Sequence, residues 1–369
     1  MGLGEGTFYL DSLLGRSVGT LCWDSLMELC KLKRPRGRRW RPGDLPISGK
    51  IWMGRNNAMS FRAVLDAMSL LDDPSASGRS VVEFLSSQGP CEARFERIEG
   101  PKGGTDFVRV LIRGKRGKSV GGTAPTLGIV GRLGGIGARS EAIGLVSDGD
   151  GAVSAVAAAI KLIRMSARGD ILDGDVIVAT HVCPDAPTQP HDPVPFMGSP
   201  VDMSEMNRHE VDPAMDAILS VDTTKGNRVI NHRGFAISPT VKEGYILRVS
   251  EDLLDIMSIT TGRLPVTFPI TTQDITPYGN GVFHLNSILQ PATATDAPVV
   301  GVAITAETAV PGCATGASHV PDIEQAVRFC IETAKAFGAG KCRFYDQAEF
   351  DRLVGLYGSM KHLQTLGRM

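Results

Sequence analysis

Apolar positions in this sequence recur with two periods, and the alternation between them outlines a chain of helices and strands. From Ser60, the residues Phe61, Val64, Leu65, Met68 and Leu71 repeat at helical spacing and stop before Asp72-Asp73-Pro74, which predicts a first helix. Ser80 to Ser86 reads as a second, short helix. Ala93 to Ile98 and Asp106 to Ile112 alternate apolar and polar residues, the pattern of strands at an exposed edge, with a turn expected over Gly114 to Lys118. A glycine-rich stretch, Gly121 to Gly137, precedes an expected strand at Ala142 to Val146. Ala152 to Met165, built of Ala, Val, Ile and Leu, is a strong helix.

Beyond it the apolar segments shorten and become continuous. Asp175 to Thr180 reads as a strand, followed by a long Pro-rich loop to Asp212 and strands at Ala217 to Val221, Gly244 to Val249 and Val299 to Ile304. A closing helix spans Ile323 to Phe337. Unbroken apolar strands suit a sheet buried on both faces, so the expected architecture is a three-layer α/β/α sandwich with a mixed, mainly parallel sheet. No internal repeat is visible.

Charge separates the first 58 residues from the rest. Lys31 to Arg41 places seven basic residues in eleven, and residues 1–58 hold ten basic and five acidic residues, leaving 29 basic and 35 acidic in the remainder. That segment reads as a disordered or mis-assigned N-terminal extension, with Met59 as the preferred start and 59–369 as a single α/β domain. Lys and Arg total 39 against 40 Asp and Glu, a balance that gives no general reason to expect nucleic acid or an anionic membrane as partner. Seven scattered cysteines without a CxxC pair fit a reducing cytoplasm, and no apolar run approaches the roughly 18 residues of a membrane span.

Ligands of open α/β sheets bind beyond the carboxyl ends of the strands, which directs the search for chemistry to four places. In Ser147-Asp148-Gly149-Asp150-Gly151 two carboxylates precede the Ala-rich helix, where they cap its N-terminus or hold a metal. Thr180-His181-Val182-Cys183-Pro184-Asp185 follows a strand and places His181, Cys183 and Asp185 on one face if the extension continues. Asp222 ends the Ala217 strand, and His319 ends a loop of small residues leading into the last helix. Asp150, His181, Asp222 and His319 form a set suited to a divalent ion, Zn²⁺ by preference, with Asp185 as general base for a bound water. Cys183 is the alternative nucleophile, with His181 or His319 as its base. His191, His209, His232 and His284 leave the choice among histidines open. The glycines from Gly128 to Gly137 match neither nucleotide-loop spacing, so no nucleotide cofactor is expected.

From Ser60 to Thr365 the chain resembles the bacterial and archaeal family catalogued as domain of unknown function 1177. The segments Thr180 to Thr188, Gly104 to Phe107, Gly121 to Thr126, Pro195 to Pro200, Asn207-Arg208-His209-Glu210, Asp222-Thr223-Thr224-Lys225 and Thr271 to Pro277 carry that resemblance. More distantly, the order of elements is similar to zinc aminopeptidases of the glutamyl and leucyl type. That analogy implies Asp150 as a bridging carboxylate, Asp222 and His319 as further ligands, and the segment around Cys183 and Asp185 in place of a catalytic Glu pair. It departs at one point: Gly131-Arg132-Leu133 stands where an early His-x-Asp ligand pair is expected.

Three functions follow as expectations. The leading one is a metal-dependent, aminopeptidase-like hydrolase of an amide or peptide bond in a small substrate. The others are a metal-free amidohydrolase that uses Cys183, and an inactive relative that binds a peptide or small metabolite. A homo-oligomer in the cytoplasm is the expected state.

Overall fold

A computed structural model describes residues 59–132, 134–137, 144–190, 192, 196–276, 281–282, 286–310 and 315–368. The basic extension read over residues 1–58 lies outside the described residues. Helix α1 (Ser60–Asp72) and helix α2 (Gly78–Gln88) open the described chain. A Ser77 capping box starts α2, with Ser77 Oγ accepting from the Ser80 amide and Ser80 Oγ accepting from the Ser77 amide. Strands β1 (Glu92–Gly100) and β2 (Gly103–Ile112) form the antiparallel edge hairpin that the alternation predicts.

The centre of the sheet is parallel. Strands β3 (Leu127–Gly131), β4 (Val176–Val182), β7 (Ala217–Thr223) and β11 (Val299–Thr305) lie in the order β4-β3-β7-β11, with β2 antiparallel to β4. Between β4 and β7 come the small hairpin β5 (Thr188–Gln189) and β6 (Phe196–Met197) and helix α4 (Met203–Glu210). Strands β8 (Gly234–Ile237), β9 (Val241–Lys242) and β10 (Tyr245–Ile246) complete the far side, β8 and β9 running antiparallel to β11. Helices α5 (Glu251–Thr261), α6 (Asn286–Leu289), α7 (Val320–Gly338) and α8 (Gln347–Tyr357) follow.

Alternation along each buried strand divides the apolar residues between two cores. Val176 and Val178 join the core beneath α1, α3 and α7, where α3 is Asp150–Ser166, while Ile177 and Ala179 join the opposite core with Phe268, Ile288 and Leu289. Helix α3 is buried nearly all round, which explains its Ala-rich sequence: small side chains let it lie close to β3, β4 and β7. Each fully buried Ile or Leu here contributes about 1.5–3 kcal/mol. The second helical layer is thin, consisting mainly of α4, α6 and a 3₁₀ turn at Gln290–Thr293. The three-layer α/β sandwich with a mixed sheet is therefore present.

Two expected strands differ from what is observed. Residues 144–146 are not strand, residues 142–143 lie outside the described residues, and the central strand is instead β3, inside the glycine-rich stretch. The reason is crowding. A Cβ on Gly128 would stand 2.4 Å from Met215 Sδ in the core opposite α3, and one on Gly131 would stand 2.4 Å from the Gly151 carbonyl, where only glycine fits between β3 and α3. The strand expected over Gly244 to Val249 shrinks to Tyr245–Ile246, because Glu243 (φ 49°) and Gly244 (φ 82°) make the tight two-residue hairpin turn of β9 and β10. Among the described residues no helix is long and apolar enough to cross a membrane.

Candidate active site at the carboxyl ends of the parallel strands

The parallel strands β3, β4, β7 and β11 end on the same edge of the sheet, and buried charge collects there. Arg132 follows β3, His181 is the next-to-last residue of β4, and Asp222 is the next-to-last residue of β7. Glu210, the last residue of α4, reaches both of the first two. Its Oε1 lies 2.6 Å from His181 Nδ1 and its Oε2 pairs with the Arg132 guanidinium, which also reaches Asn207 Oδ1 at 3.4 Å. Arg132, His181 and Glu210 are all almost fully buried.

Burial alone would raise the Glu210 carboxyl, but Arg132 and His181 hold it below the ordinary range. An ionised carboxylate only accepts hydrogen bonds, so His181 Nδ1 carries the proton and Nε2 is left as the basic nitrogen. A Cβ at Gly134 would fall 2.8 Å from that Nε2, so the backbone approaches the ring closely.

Asp222 accepts from Ser287 Oγ and from the Thr223 amide, each at 2.7 Å. Burial dominates and pushes its carboxyl up to about 6, against the opposing hydrogen bonds and the Arg132 charge, while Glu210 adds to the rise. Asp150, the first residue of α3, is fully buried between Lys225 Nζ at 2.7 Å and Ser318 Oγ at 2.5 Å. Burial raises this carboxyl as well, outweighing Lys225 and Ser318.

The residues singled out in the sequence therefore separate. His181 and Asp222 share one charge network through Arg132 and Glu210. Asp150 belongs to a second group with Lys225 and Ser318, and feels His319, whose half-exposed ring sits at the start of α7 with Nδ1 3.4 Å from Asp322 Oδ2. Cys183 lies elsewhere, buried among Ile136, Val146 and Ala186 in a small apolar cluster. Asp185 is a surface residue 3.7 Å from Arg97. The face shared by positions 181, 183 and 185 does not form, because β4 ends at Val182.

Among the described residues no three of His, Cys, Asp and Glu are grouped to hold a metal. Asp150 is engaged by an ammonium and Asp222 by a hydroxyl and an amide, whereas His181, held through Nδ1 by Glu210, keeps Nε2 as its donor nitrogen. Arg132 and Lys225, both buried, each neutralise one carboxylate, Glu210 and Asp150 respectively.

Five members of the site had not been picked out as such in the sequence: Arg132, Glu210, Lys225, Ser287 and Ser318. Asn207 and Glu210 were readable in principle, since three-residue spacing on a helix puts both on one face. A cavity of about 1190 Å³ lies at the opposite edge, where Asp216 and Pro298 lead into β7 and β11, and it touches none of these residues.

The fold and this edge define an α/β protein with a buried cluster of charged side chains at the strand ends. The chain belongs to the family described as a protein of unknown function, DUF1177, whose model matches residues 96–367. None of the curated proteins compared matches it. Among solved structures it is similar to the LapA aminopeptidase of Legionella pneumophila, with 12% identity, 86% of this chain and 82% of that chain covered, and a TM-score of 0.48. The cytosol aminopeptidase of Coxiella burnetii gives 12% identity, 73% and 68% coverage and a TM-score of 0.44. A mutant of tomato leucine aminopeptidase gives 10% identity, 81% and 68% coverage and a TM-score of 0.46. At these identities the likeness concerns the course of the backbone and not the reaction.

Proposed function

We propose that the protein hydrolyses an amide or peptide bond in a small substrate bound at the carboxyl ends of β3, β4 and β7. The observation that carries this reading is the placement of His181, oriented through Nδ1 by Glu210, near the end of β4 and of Asp222, whose carboxyl burial pushes up to about 6, near the end of β7. A histidine whose second nitrogen is fixed by a carboxylate is arranged to accept a proton from an attacking water. An acid that still holds part of its protons near neutral pH is arranged to give one to the departing nitrogen. Arg132, whose charge reaches Asp222, provides fixed positive charge for the oxyanion that forms in between.

In this reading a protein cation does the electrostatic work for which the sequence suggested zinc. The test is a panel of aminoacyl amides, dipeptides and acylated amines offered to the full chain, wild type beside His181→Gln. Hydrolysis that drops about 10²–10⁴-fold in the variant is expected. No hydrolysis of any member would remove the proposal in favour of a binding protein, the reading that the fully engaged carboxylates also favour.

A further inference from the structure

The hairpin of β1 and β2 carries a second cavity, of about 440 Å³. Its lining includes Arg94, Glu96, Phe107, Arg109, Arg208 and His209. Arg94 and Arg109 stand directly opposite each other in the antiparallel register. Like charges facing each other across a strand pair destabilise it, so the arrangement calls for a neutralising partner. Burial and the charge of Arg94 together hold the Arg109 guanidinium below its ordinary value.

Part of the neutralisation is internal. Arg109 pairs with Asp212, Arg208 with Glu205, and His209 lies 3.5 Å from both Glu96 and Glu205. Of these acids only Glu96 lines the cavity, and Arg94 has no acidic partner among the described residues. The His209 ring stacks on Phe107 with centroids 4.7 Å apart, giving the cavity a flat aromatic wall.

From this cluster we propose that the cavity binds a small ligand through a phosphate group held by Arg94, Arg109 and Arg208. A single carboxylate is satisfied by one guanidinium fork, whereas a tetrahedral phosphate has oxygens enough for three guanidiniums approaching from different elements. The volume suits a small monophosphorylated metabolite, whose carbon body would rest against Phe107 and His209. The site borders the candidate active site, since the Phe107 ring lies 5.6 Å from that of His181. Helix α4 also carries both Arg208 and Glu210. The proposal stands apart from the hydrolase reading and needs no substrate of it.

Calorimetric titration of the full chain with inorganic phosphate, and separately with succinate, tests it. Binding of phosphate that weakens at least tenfold in Arg94→Ala and partly returns in Arg94→Lys is the expected result. Arg94 is exposed, so its loss leaves the fold intact, which the thermal unfolding midpoint of each variant checks. Absence of phosphate binding at millimolar concentrations, or binding that Arg94→Ala leaves unchanged, overturns the assignment. Succinate binding more tightly than phosphate overturns the choice of a phosphate.

Discussion

The carboxylate of Asp150 and the ammonium of Lys225 lie 2.7 Å apart with both side chains withdrawn from solvent. Such a pair is costly to separate, because removing one member strands the other charge in a low dielectric. Lys225→Met is expected to lower the free energy of unfolding by about 3–5 kcal/mol. Asp150→Asn combined with Lys225→Met should restore much of that loss. Urea unfolding of the two single variants and the double variant gives the coupling directly, and near-additive effects would mean that the pair does not exist in solution.

Glu210 fixes the tautomer of His181. In the wild type, nitrogen-15 NMR of the imidazole should show the proton on Nδ1. Glu210→Gln removes the anion shared by His181 and Arg132, leaving the Arg132 charge uncompensated, with an expected loss of about 3 kcal/mol. A His181 tautomer and a stability both unaffected by this change would remove Glu210 from the site.

Asp222 sets a pH dependence of stability. Its carboxyl is raised from 3.8 to about 6 in the folded chain, so the native state retains a proton that the unfolded chain releases. The stabilisation from that proton is complete below the unfolded value and is lost as pH rises through about 6. At roughly 1.4 kcal/mol per pKa unit, the loss reaches about 3 kcal/mol. Asp222→Asn does not titrate, so between about pH 4 and pH 7 its stability should gain about 3 kcal/mol relative to wild type. Parallel stability curves for the two proteins would contradict the burial argument.

Gly131 tolerates no side chain. A methyl group there meets the Gly151 carbonyl, a backbone atom that moves only if helix α3 moves away from the sheet. Gly131→Ala should therefore cost at least the 1–3 kcal/mol typical of overpacking. Gly355→Ala, whose added Cβ meets nothing within 4 Å at an ordinary φ, is the control for an added methyl without a clash.

The same crowding explains what could be read from the sequence. Strands β4, β7 and β11 announce themselves as continuous apolar runs, and α1, α3 and α7 as helical periods, because burial on both faces or on one stripe dictates residue type directly. Strand β3 is hidden, since close approach to Met215 and Gly151 selects glycine, which carries no strand signal. Helix α5, one of the short segments around the core, was missed because only Leu253, Met257 and Thr260 are buried along it. His181 and Asp222 are singled out in the sequence because ligands of open sheets bind beyond strand ends, and Asp150 because it opens the Ala-rich helix. Arg132, Glu210 and Lys225 were not assigned, since what gives each a role is a partner distant in sequence, and pairing across 78 residues, as for Arg132 and Glu210, leaves no local pattern.

Elemental analysis of the purified full chain bears on the engaged donors. The expectation is that zinc, manganese and cobalt remain far below one per chain after exposure to each. Stoichiometric metal that is lost in Asp150→Ala would show that Lys225 gives way to an ion.

The most direct test of the hydrolase reading is the turnover number of wild type and Asp222→Asn on the best amide substrate of the panel, measured with a chelator present. The account predicts wild-type turnover that persists with the chelator and falls at least about 10²-fold in the folded variant. Turnover abolished by the chelator, or undiminished in Asp222→Asn, would contradict it.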